Sequence, residues 1–176
     1  MAQFDACLNF TLSEEGGFGD TRSDSGNWTG GAVGSGELRG TNWGISAAAY
    51  PSLDIRNLTR DQAGEIYQRD YWAPMQCDTM PLGLDLMVFD EGVNAGIGES
   101  IELLQKQLGV DVDGVIGPIT RLALRGCAVA DTIKGLYARQ GAHYRGLSTF
   151  PTFGRGWLGR LGRRYALACQ MAGIAQ

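Results

Sequence analysis

The sequence predicts a mainly α-helical domain that carries one long glycine-rich loop near its N-terminus. Phe4, Leu8 and Leu12 recur at a spacing of four residues, which is typical of the buried face of an amphipathic helix. At 176 residues the chain has the length of one domain with a sizeable core. Strands should be short and confined to residues 16–44, where ten glycines occur.

Helix boundaries after the loop follow from capping and stop signals. Thr59 and Gln62 form a capping box that predicts a helix through about Trp72, which Pro74 terminates. Two further apolar stripes predict helices, and Pro118 suits the first position of another. These stripes are Leu82, Leu86, Phe89 and Val93, and then Ile101, Leu104 and Leu108 before Gly109. Two longer helices should follow, around residues 129–146 and 155–172.

The glycine-rich loop of residues 16–44 is a candidate functional segment. Loops longer than about 12–15 residues without regular structure are uncommon in compact domains and are usually functional or disordered. Phe18, Trp28 and Trp43 make this loop too apolar for a solvated linker. We therefore expect an ordered loop that serves the activity of the protein.

Glu15 is the acid at the end of the first apolar stripe. Gly16 is a natural residue to end the helix, which places Glu15 in the last helical turn. The negative end of the helix dipole and partial burial both favour a protonated carboxyl, as a general acid requires. Glu14, on a second stripe with Cys7 and Phe10, competes for the role, and an exposed acid at a helix end is the plainer interpretation of Glu15.

Several motifs, in order along the chain, resemble the phage-type N-acetylmuramidases with a Glu-Gly-Gly motif, glycoside hydrolase family 108. The resemblance runs from about residue 5 to 165, with about a dozen residues, Thr29 to Gly40, inserted before Thr41. The motifs are Glu15-Gly16-Gly17-Phe18, Asp24-Ser25-Gly26, Thr41-Asn42-Trp43-Gly44-Ile45-Ser46, Tyr67-Gln68-Arg69-Asp70-Tyr71-Trp72, Phe89-Asp90-Glu91-Gly92-Val93-Asn94-Ala95-Gly96 and Asp113-Gly114-Val115-Ile116-Gly117-Pro118-Ile119-Thr120.

The resemblance implies a lysozyme-like, two-lobed helical body with the glycine-rich loop or a small β-hairpin near the active site. Residues 1–87 would form the catalytic lobe, and residues 88–176 a helical lobe that resembles peptidoglycan-binding segments. The turn at Asp113-Gly114 is similar to one in small peptidoglycan-binding modules, although any helix–turn–helix connection needs such glycines. We expect one compact body with a glycan strand held in a cleft between the lobes.

The resemblance also implies cleavage of the β-1,4 bond between N-acetylmuramic acid and N-acetylglucosamine. Such cleavage needs a proton donor and a second carboxylate that supports the oxocarbenium-like transition state or activates water. Glu15 is the expected general acid, and Asp24, nine residues on, the expected second carboxylate. Thr41, rather than Thr29, would position water or Asp24, with Thr29 left as a substrate contact. Sequence spacing leaves inversion and retention of configuration both open.

Further residues are candidates for binding the sugar strand. Trp43, Tyr71 and Trp72, together with Trp28, could stack on sugar rings, although aromatic residues at helical spacing more often belong to the core. Asp90 and Asn94 lie one turn apart beside an apolar stripe. They could line the cleft, or they could hydrogen-bond to neighbouring loops, which we favour slightly.

Composition excludes several other classes of protein. His143 is the only histidine, so a zinc site with several histidine ligands is excluded, and we expect His143 to be structural or exposed. Four separated cysteines indicate buried free thiols, with one disulfide as an alternative. We expect no cofactor and no metal.

Charge is unevenly divided along the chain. Residues 1–114 hold six Lys or Arg against eighteen Asp or Glu, whereas residues 115–176 hold nine against one. A basic C-terminal surface could meet an anionic polymer such as the cell wall, and a solvated helix face is the plainer explanation. The expected partner is a peptidoglycan strand, with no nucleic acid and no membrane insertion, and the protein is expected to be a monomer.

The expected biological role is lysis of a host cell. The N-terminal residues lack the pattern of a signal peptide, so we expect an endolysin held in the host cytoplasm until release, then acting on the periplasmic cell wall. A secreted effector against rival walls would share these features. Two other activities stay open: a lytic transglycosylase, and an inactive peptidoglycan-binding or virion protein.

Overall fold

The computed structural model describes residues 2–175, apart from the side chain of Ala2, and it is mainly α-helical. Across these residues the α-helices are α1 (Ala2–Glu15), α2 (Arg60–Tyr67), α3 (Leu84–Ala95), α4 (Ile97–Leu108), α5 (Pro118–Gly126), α6 (Val129–Gly146) and α7 (Phe150–Met171). A π-helix, Gln68–Trp72, continues α2, and short 3₁₀ turns cover Ser25–Asn27 and Cys77–Thr79. The predicted mainly α, lysozyme-like fold class is confirmed.

Two strands, β1 (Thr41–Asn42) and β2 (Ile45–Ser46), form an antiparallel hairpin. Thr41 pairs with Ser46 and Asn42 with Ile45, so two residues make the turn. Strands were expected within residues 16–44, and the second strand lies just beyond that limit. The expectation missed it because the turn at Trp43 and Gly44 was taken as the end of the loop, not the middle of a hairpin.

The chain packs as two compact units. One contains Leu8–Gln68, and the other contains the chain from Arg69 onward together with the residues up to Cys7. The predicted division into a catalytic lobe, 1–87, and a peptidoglycan-binding-like lobe, 88–176, within one compact body stays a prediction.

In the unit of residues 8–68, the glycine-rich loop and the hairpin lie between α1 and α2 in the chain. Leu8, Phe10 and Leu12 of α1 are buried, as the apolar stripe predicts. Thr59 caps α2 and forms the predicted capping box with Gln62. Asn42 donates from its side-chain amide to the carbonyl of Ile55 at 3.1 Å, which ties the hairpin to the loop before α2.

The larger unit is built around α3, where every residue from Leu84 to Gly92 is buried. Helices α4, α6 and α7 pack against it. Phe4, Trp72 and Phe89 form an aromatic cluster with edge-to-face contacts, their ring centroids 5.2–6.0 Å apart. Leu82, expected to begin the α3 stripe, precedes the helix and is half exposed.

Buried charges on α3 are paired with arginines from α7. Arg160 holds Asp90 through two hydrogen bonds of 3.0 and 2.7 Å, and Arg164 reaches both Asp90, at 3.0 Å, and Glu91, at 2.7 Å. Burial by itself would lower the pKa of Arg164, but Asp90, and after it Tyr144 and Glu91, raise that pKa above its usual value. The guanidinium therefore stays charged in the core, as a buried acid pair requires.

The four cysteines are free thiols; Cys7, Cys77 and Cys169 are buried, as expected, whereas Cys127 is partly exposed. Among the helices that the structure describes, none has the length and apolarity needed to cross a bilayer.

Candidate active site

Glu15 ends α1, and the chain turns sharply immediately after it. The helix stops at Glu15, and Gly16 has a φ of 74°, in the left-handed region that favours glycine. Glu15 is half-buried at this point. The end of α1 therefore sets the position of the Glu15 backbone, and the hairpin determines the surroundings of its side chain.

The turn of the hairpin lies against the Glu15 side chain. Trp43 and Gly44, the two turn residues, have φ values of 54° and 75°, as a tight two-residue hairpin turn requires. A Cβ atom added to Gly44 would lie 2.9 Å from Cγ and 3.0 Å from Oε2 of Glu15. It would also lie 2.4 Å from the Tyr67 hydroxyl oxygen. Gly44 thus leaves the space in which the carboxyl of Glu15 and the phenol of Tyr67 meet the hairpin.

Tyr67 fixes the turn from the other side. Its side chain is buried, and its hydroxyl donates a 3.0 Å hydrogen bond to the carbonyl oxygen of Trp43. The indole nitrogen of Trp43 donates in turn to the carbonyl of Leu58 at 3.1 Å. Tyr67 belongs to one of the motifs that resemble the family, but no role was predicted for it. Tyr67 and Trp43 are 24 residues apart in the sequence, so local spacing does not predict this contact.

Thr41 and Asp24 are connected through Asn27. The hydroxyl of Thr41 donates to Oδ1 of Asn27 at 2.7 Å, and Asn27 is buried. The backbone N–H of Asn27 donates to the carbonyl of Asp24 at 3.3 Å. Asn27 therefore joins the strand that carries Thr41 to the turn that carries Asp24, a role that its position in the sequence does not predict.

Asp24 caps the short turn of residues Ser25–Asn27. Its Oδ1 accepts a 2.9 Å hydrogen bond from the N–H of Gly26, and its side chain is exposed. The carbonyl of Gly26 accepts from the N–H of Ala48 at 3.0 Å, which fastens this turn to the segment after β2. Glu15, Thr41 and Asp24 thus all belong to elements attached to the one hairpin.

Thr29 belongs to the inserted segment instead. Its hydroxyl accepts from the N–H of Glu37 at 2.9 Å, and its own N–H donates to the carbonyl of Glu37 at the same distance. Trp28 and Leu38 form a single β-bridge next to this pair. The side chain of Thr29 closes the inserted loop, and Thr41 alone of the two threonines is on the hairpin.

The remaining candidate residues lie in the larger unit, and the predicted sugar-binding role of two of them is wrong. Trp72 is fully buried between Phe4 and Phe89, so it cannot stack on a sugar and is a core residue. Asp90 is equally buried and held by two arginines, so it is a structural charge and not a substrate ligand.

Asn94 and Tyr71 stay predictions. The amide of Asn94 donates to the Tyr144 hydroxyl at 3.0 Å and borders a cavity of about 270 Å³, which is also lined by Glu99, His143 and Trp157. Nδ1 of His143 lies 2.9 Å from Oε1 of Glu99. Tyr71 is half-buried in the π-helix after α2.

The described residues contain no group of three or more His, Cys, Asp or Glu side chains that could hold a metal ion. The hairpin region carries carboxyl and hydroxyl groups on the residues described above. An acid at a helix end and a second carboxylate on a polar turn are the kinds of group that glycoside cleavage uses.

Comparisons with known proteins assign this fold to a class, the lysozyme-type glycoside hydrolases. The model of the family described as glycosyl hydrolase 108 matches residues 8–96, and the chain belongs to that family. The match ends at Gly96, the residue between α3 and α4. The solved structure of SagA from Brucella abortus is similar to this chain, with a TM-score of 0.81 and 32% identity. That similarity covers 97% of this chain and 96% of SagA. Among curated proteins, none matches this chain.

Membership of this family gives the general class of activity. The chain is a glycosidase of the peptidoglycan-hydrolase class.

Proposed function

We propose that the protein is an N-acetylmuramidase that cleaves the β-1,4 bond between N-acetylmuramic acid and N-acetylglucosamine in peptidoglycan. The observation that carries the proposal is the placement of Glu15 against the glycine turn of the hairpin, in a chain of glycosyl hydrolase family 108. A carboxyl group fixed in this way is suited to deliver a proton to one oxygen atom of a bound sugar strand.

In the proposed mechanism Glu15 donates its proton to the glycosidic oxygen as the bond to the muramic acid carbon breaks. Asp24 is the second carboxylate, which stabilises the positive charge that develops on the sugar ring or activates the attacking water. Thr41 orients water or Asp24, and its link to Asn27 supports this role because it restrains both elements. Trp43, Tyr71, Thr29 and Asn94 remain proposed substrate contacts.

The decisive experiment compares wild type with Glu15→Gln on purified peptidoglycan. General acid catalysis contributes typically ~10²–10⁴ in rate, so we expect Glu15→Gln to lose at least about a hundredfold. Glu14→Gln is the matched control, because it makes the same change one residue away, and it should keep most activity. Equal rates for Glu15→Gln and wild type would remove Glu15 from its role.

Mass spectrometry of the products separates a hydrolase from a transglycosylase. A muramidase adds water and leaves reducing N-acetylmuramic acid ends, whereas a lytic transglycosylase leaves anhydro ends that lack that water. We expect reducing ends. Anhydro ends would refute hydrolysis, and no cleavage of any strand would favour a wall-binding or virion protein.

The biological setting is also a proposal. We propose that the protein lyses a host cell as an endolysin, waiting in the cytoplasm and acting on the periplasmic wall after release, as a monomer. Loss of turbidity of permeabilised Gram-negative cells with wild type, but not with Glu15→Gln, would support the lytic role. A secreted effector is distinguished by finding the active protein outside intact producing cells.

A further inference from the structure

The unit of residues 8–68 contains a pocket that the proposed catalysis does not use. It encloses about 420 Å³ and is lined by Leu38, Arg39, Ser52, Asp54, Ile55 and Arg56. Leu38 and Arg39 come from the end of the inserted segment 29–40, and the other four come from the loop before α2. Ile55 is buried, whereas the side chains of both arginines reach solvent.

Both guanidinium groups are held in place by neighbouring groups. Arg39 pairs with Glu37 at 2.7 Å and donates to the carbonyl of Pro51 at 3.0 Å. Arg56 donates to Asp20 at 3.0 Å and lies over the ring of Phe18, 4.2 Å from its centroid. Ordering a long side chain costs conformational entropy, and in both arginines these contacts have already met much of that cost.

The pocket is built on the same backbone as the candidate active site. The N–H groups of Arg39 and Gly40 both donate at 3.0 Å to the carbonyl of Asn27, the residue that accepts the Thr41 hydroxyl bond. Gly19, next to Asp20, exchanges two backbone hydrogen bonds with Thr41, at 2.9 and 2.8 Å. A strand bound at Thr41 would therefore have the arginine pocket beside it.

The chemistry of the pocket suits a short peptide that carries a carboxylate. Guanidinium groups bind carboxylates through two parallel hydrogen bonds. Asp54 also borders the pocket, and the N–H and side-chain amide of Asn57 donate hydrogen bonds of 3.4 and 2.9 Å to its carboxylate. In peptidoglycan the carboxylates belong to the peptide stems on muramic acid, whereas the other sugar of the strand is neutral.

We infer that Arg39 and Arg56 bind a carboxylate of the peptide stem of peptidoglycan and so make the enzyme select strands that bear stems. This inference rests on the proposed function and gives the inserted segment a role, because the segment supplies one of the two arginines. Strands whose stems have been removed and whose lactyl carboxylates have been capped as amides would bind only through their sugars.

The test compares two substrates made from one preparation: glycan strands with their peptide stems, and the same strands after an amidase has removed the stems and each lactyl carboxylate uncovered by that hydrolysis has been capped as a methylamide. For Arg39→Gln/Arg56→Gln we expect KM to rise about tenfold on stem-bearing strands, with kcat and the rate on stripped strands unchanged. Arg60→Gln is the matched control, because Arg60 is an exposed, ion-paired arginine in the same unit but outside the pocket. Equal losses on both substrates, or no loss on either, would overturn the inference.

A binding measurement separates this inference from the proposed function. Measured by calorimetry, Glu15→Gln should bind a soluble disaccharide with its stem about tenfold more tightly than the same disaccharide with a methylamide in place of the stem. That preference should disappear when both arginines are replaced by Gln and persist in part when both are replaced by Lys. If the wild-type protein cleaves neither kind of strand, the proposed muramidase activity is refuted. The binding preference for the stem-bearing disaccharide still tests the role of the arginines in that case. If Arg39→Gln/Arg56→Gln still bound the stem-bearing disaccharide more tightly, the inference about the two arginines would be wrong.

Discussion

Gly44→Ala is the sharpest test of the geometry around Glu15. The added methyl would lie 2.4 Å from the Tyr67 hydroxyl and 2.9 Å from Cγ of Glu15, well inside normal contact distances. Gly44 also has a φ of 75°, which costs an alanine about 1–2 kcal/mol. The overlap adds about 1–3 kcal/mol, because neighbours in a packed site must shift.

Gly31→Ala supplies the matched control for backbone strain. Gly31 has a φ of 72°, and within the described part of the chain a Cβ added there would meet no atom closer than 4 Å. Gly31→Ala is therefore destabilised by the left-handed backbone conformation but not by steric overlap. The difference between the two variants isolates what the methyl does to Glu15 and Tyr67.

The assays are thermal unfolding and the rate of peptidoglycan cleavage. At this chain length each kcal/mol lowers Tm by roughly 2–4 °C, so Gly44→Ala should melt several degrees below Gly31→Ala. A misplacement of about 1 Å in a catalytic group can cost about a hundredfold in rate, and we expect a loss of that order for Gly44→Ala alone. If folded Gly44→Ala cleaved peptidoglycan as fast as Gly31→Ala, the placement of Glu15 against this turn would be irrelevant to catalysis.

Two more predictions concern a buried acid and the choice of threonine. Burial raises the pKa of Asp85 above its ordinary 3.8, although hydrogen bonds from Gln3 and Leu86 oppose the change. As pH rises through 3.8 the unfolded chain loses this proton first, so the folded state loses stability until its own, higher pKa is passed. Asp85→Asn should therefore gain Tm relative to wild type at pH 7 but not at pH 3, and an equal difference at both values would contradict this. Thr41→Val should slow cleavage by about tenfold or more and lower Tm by a few degrees, because it removes the hydroxyl that donates to the buried Oδ1 of Asn27. Thr29→Val, at a proposed substrate contact, should raise KM with kcat nearly unchanged; a loss of kcat in Thr29→Val and not in Thr41→Val would reassign the active-site threonine.

Helices were predictable where local signals coincide with packing. The capping box at Thr59, the stop at Gly109 and the start at Pro118 all mark helix ends in the structure. The last helix begins at Phe150, five residues before the predicted start. Gly154, Gly156 and Gly159 make this stretch a poor helix former, and tertiary packing overrides that local preference.

Gly154 shows how packing favours this helix. It is buried, and a Cβ there would lie 2.4 Å from the ring of Phe150. Glycine at this position therefore makes room for an aromatic ring one turn earlier. Such a contact depends on the direction of a side chain, which periodicity along the sequence does not reveal.

The candidate site was predictable as a set of elements but not as a set of contacts. Glu15 at a helix end followed by a glycine could be placed from spacing alone. The contact with the turn at Gly44, and the hydrogen bond from Tyr67 that fixes this turn, join residues more than twenty positions apart. The burial of Trp72 and Asp90 was missed for a similar reason, because their surroundings come from distant helices.

The uneven charge along the chain has an internal explanation as well as an external one. Asp90 and Glu91 are counted in the acidic part of the sequence, and Arg160 and Arg164 in the basic part, yet the four groups meet in one buried cluster. An unpaired charge in this position would cost several kcal/mol, so the acids on α3 require cations from α7. Two of the nine C-terminal cations therefore serve the core, and the surface available to an anionic partner is less basic than the sequence alone indicates. Recognition of peptidoglycan carboxylates is better assigned to the oriented arginines beside the hairpin than to the net charge of the C-terminal residues.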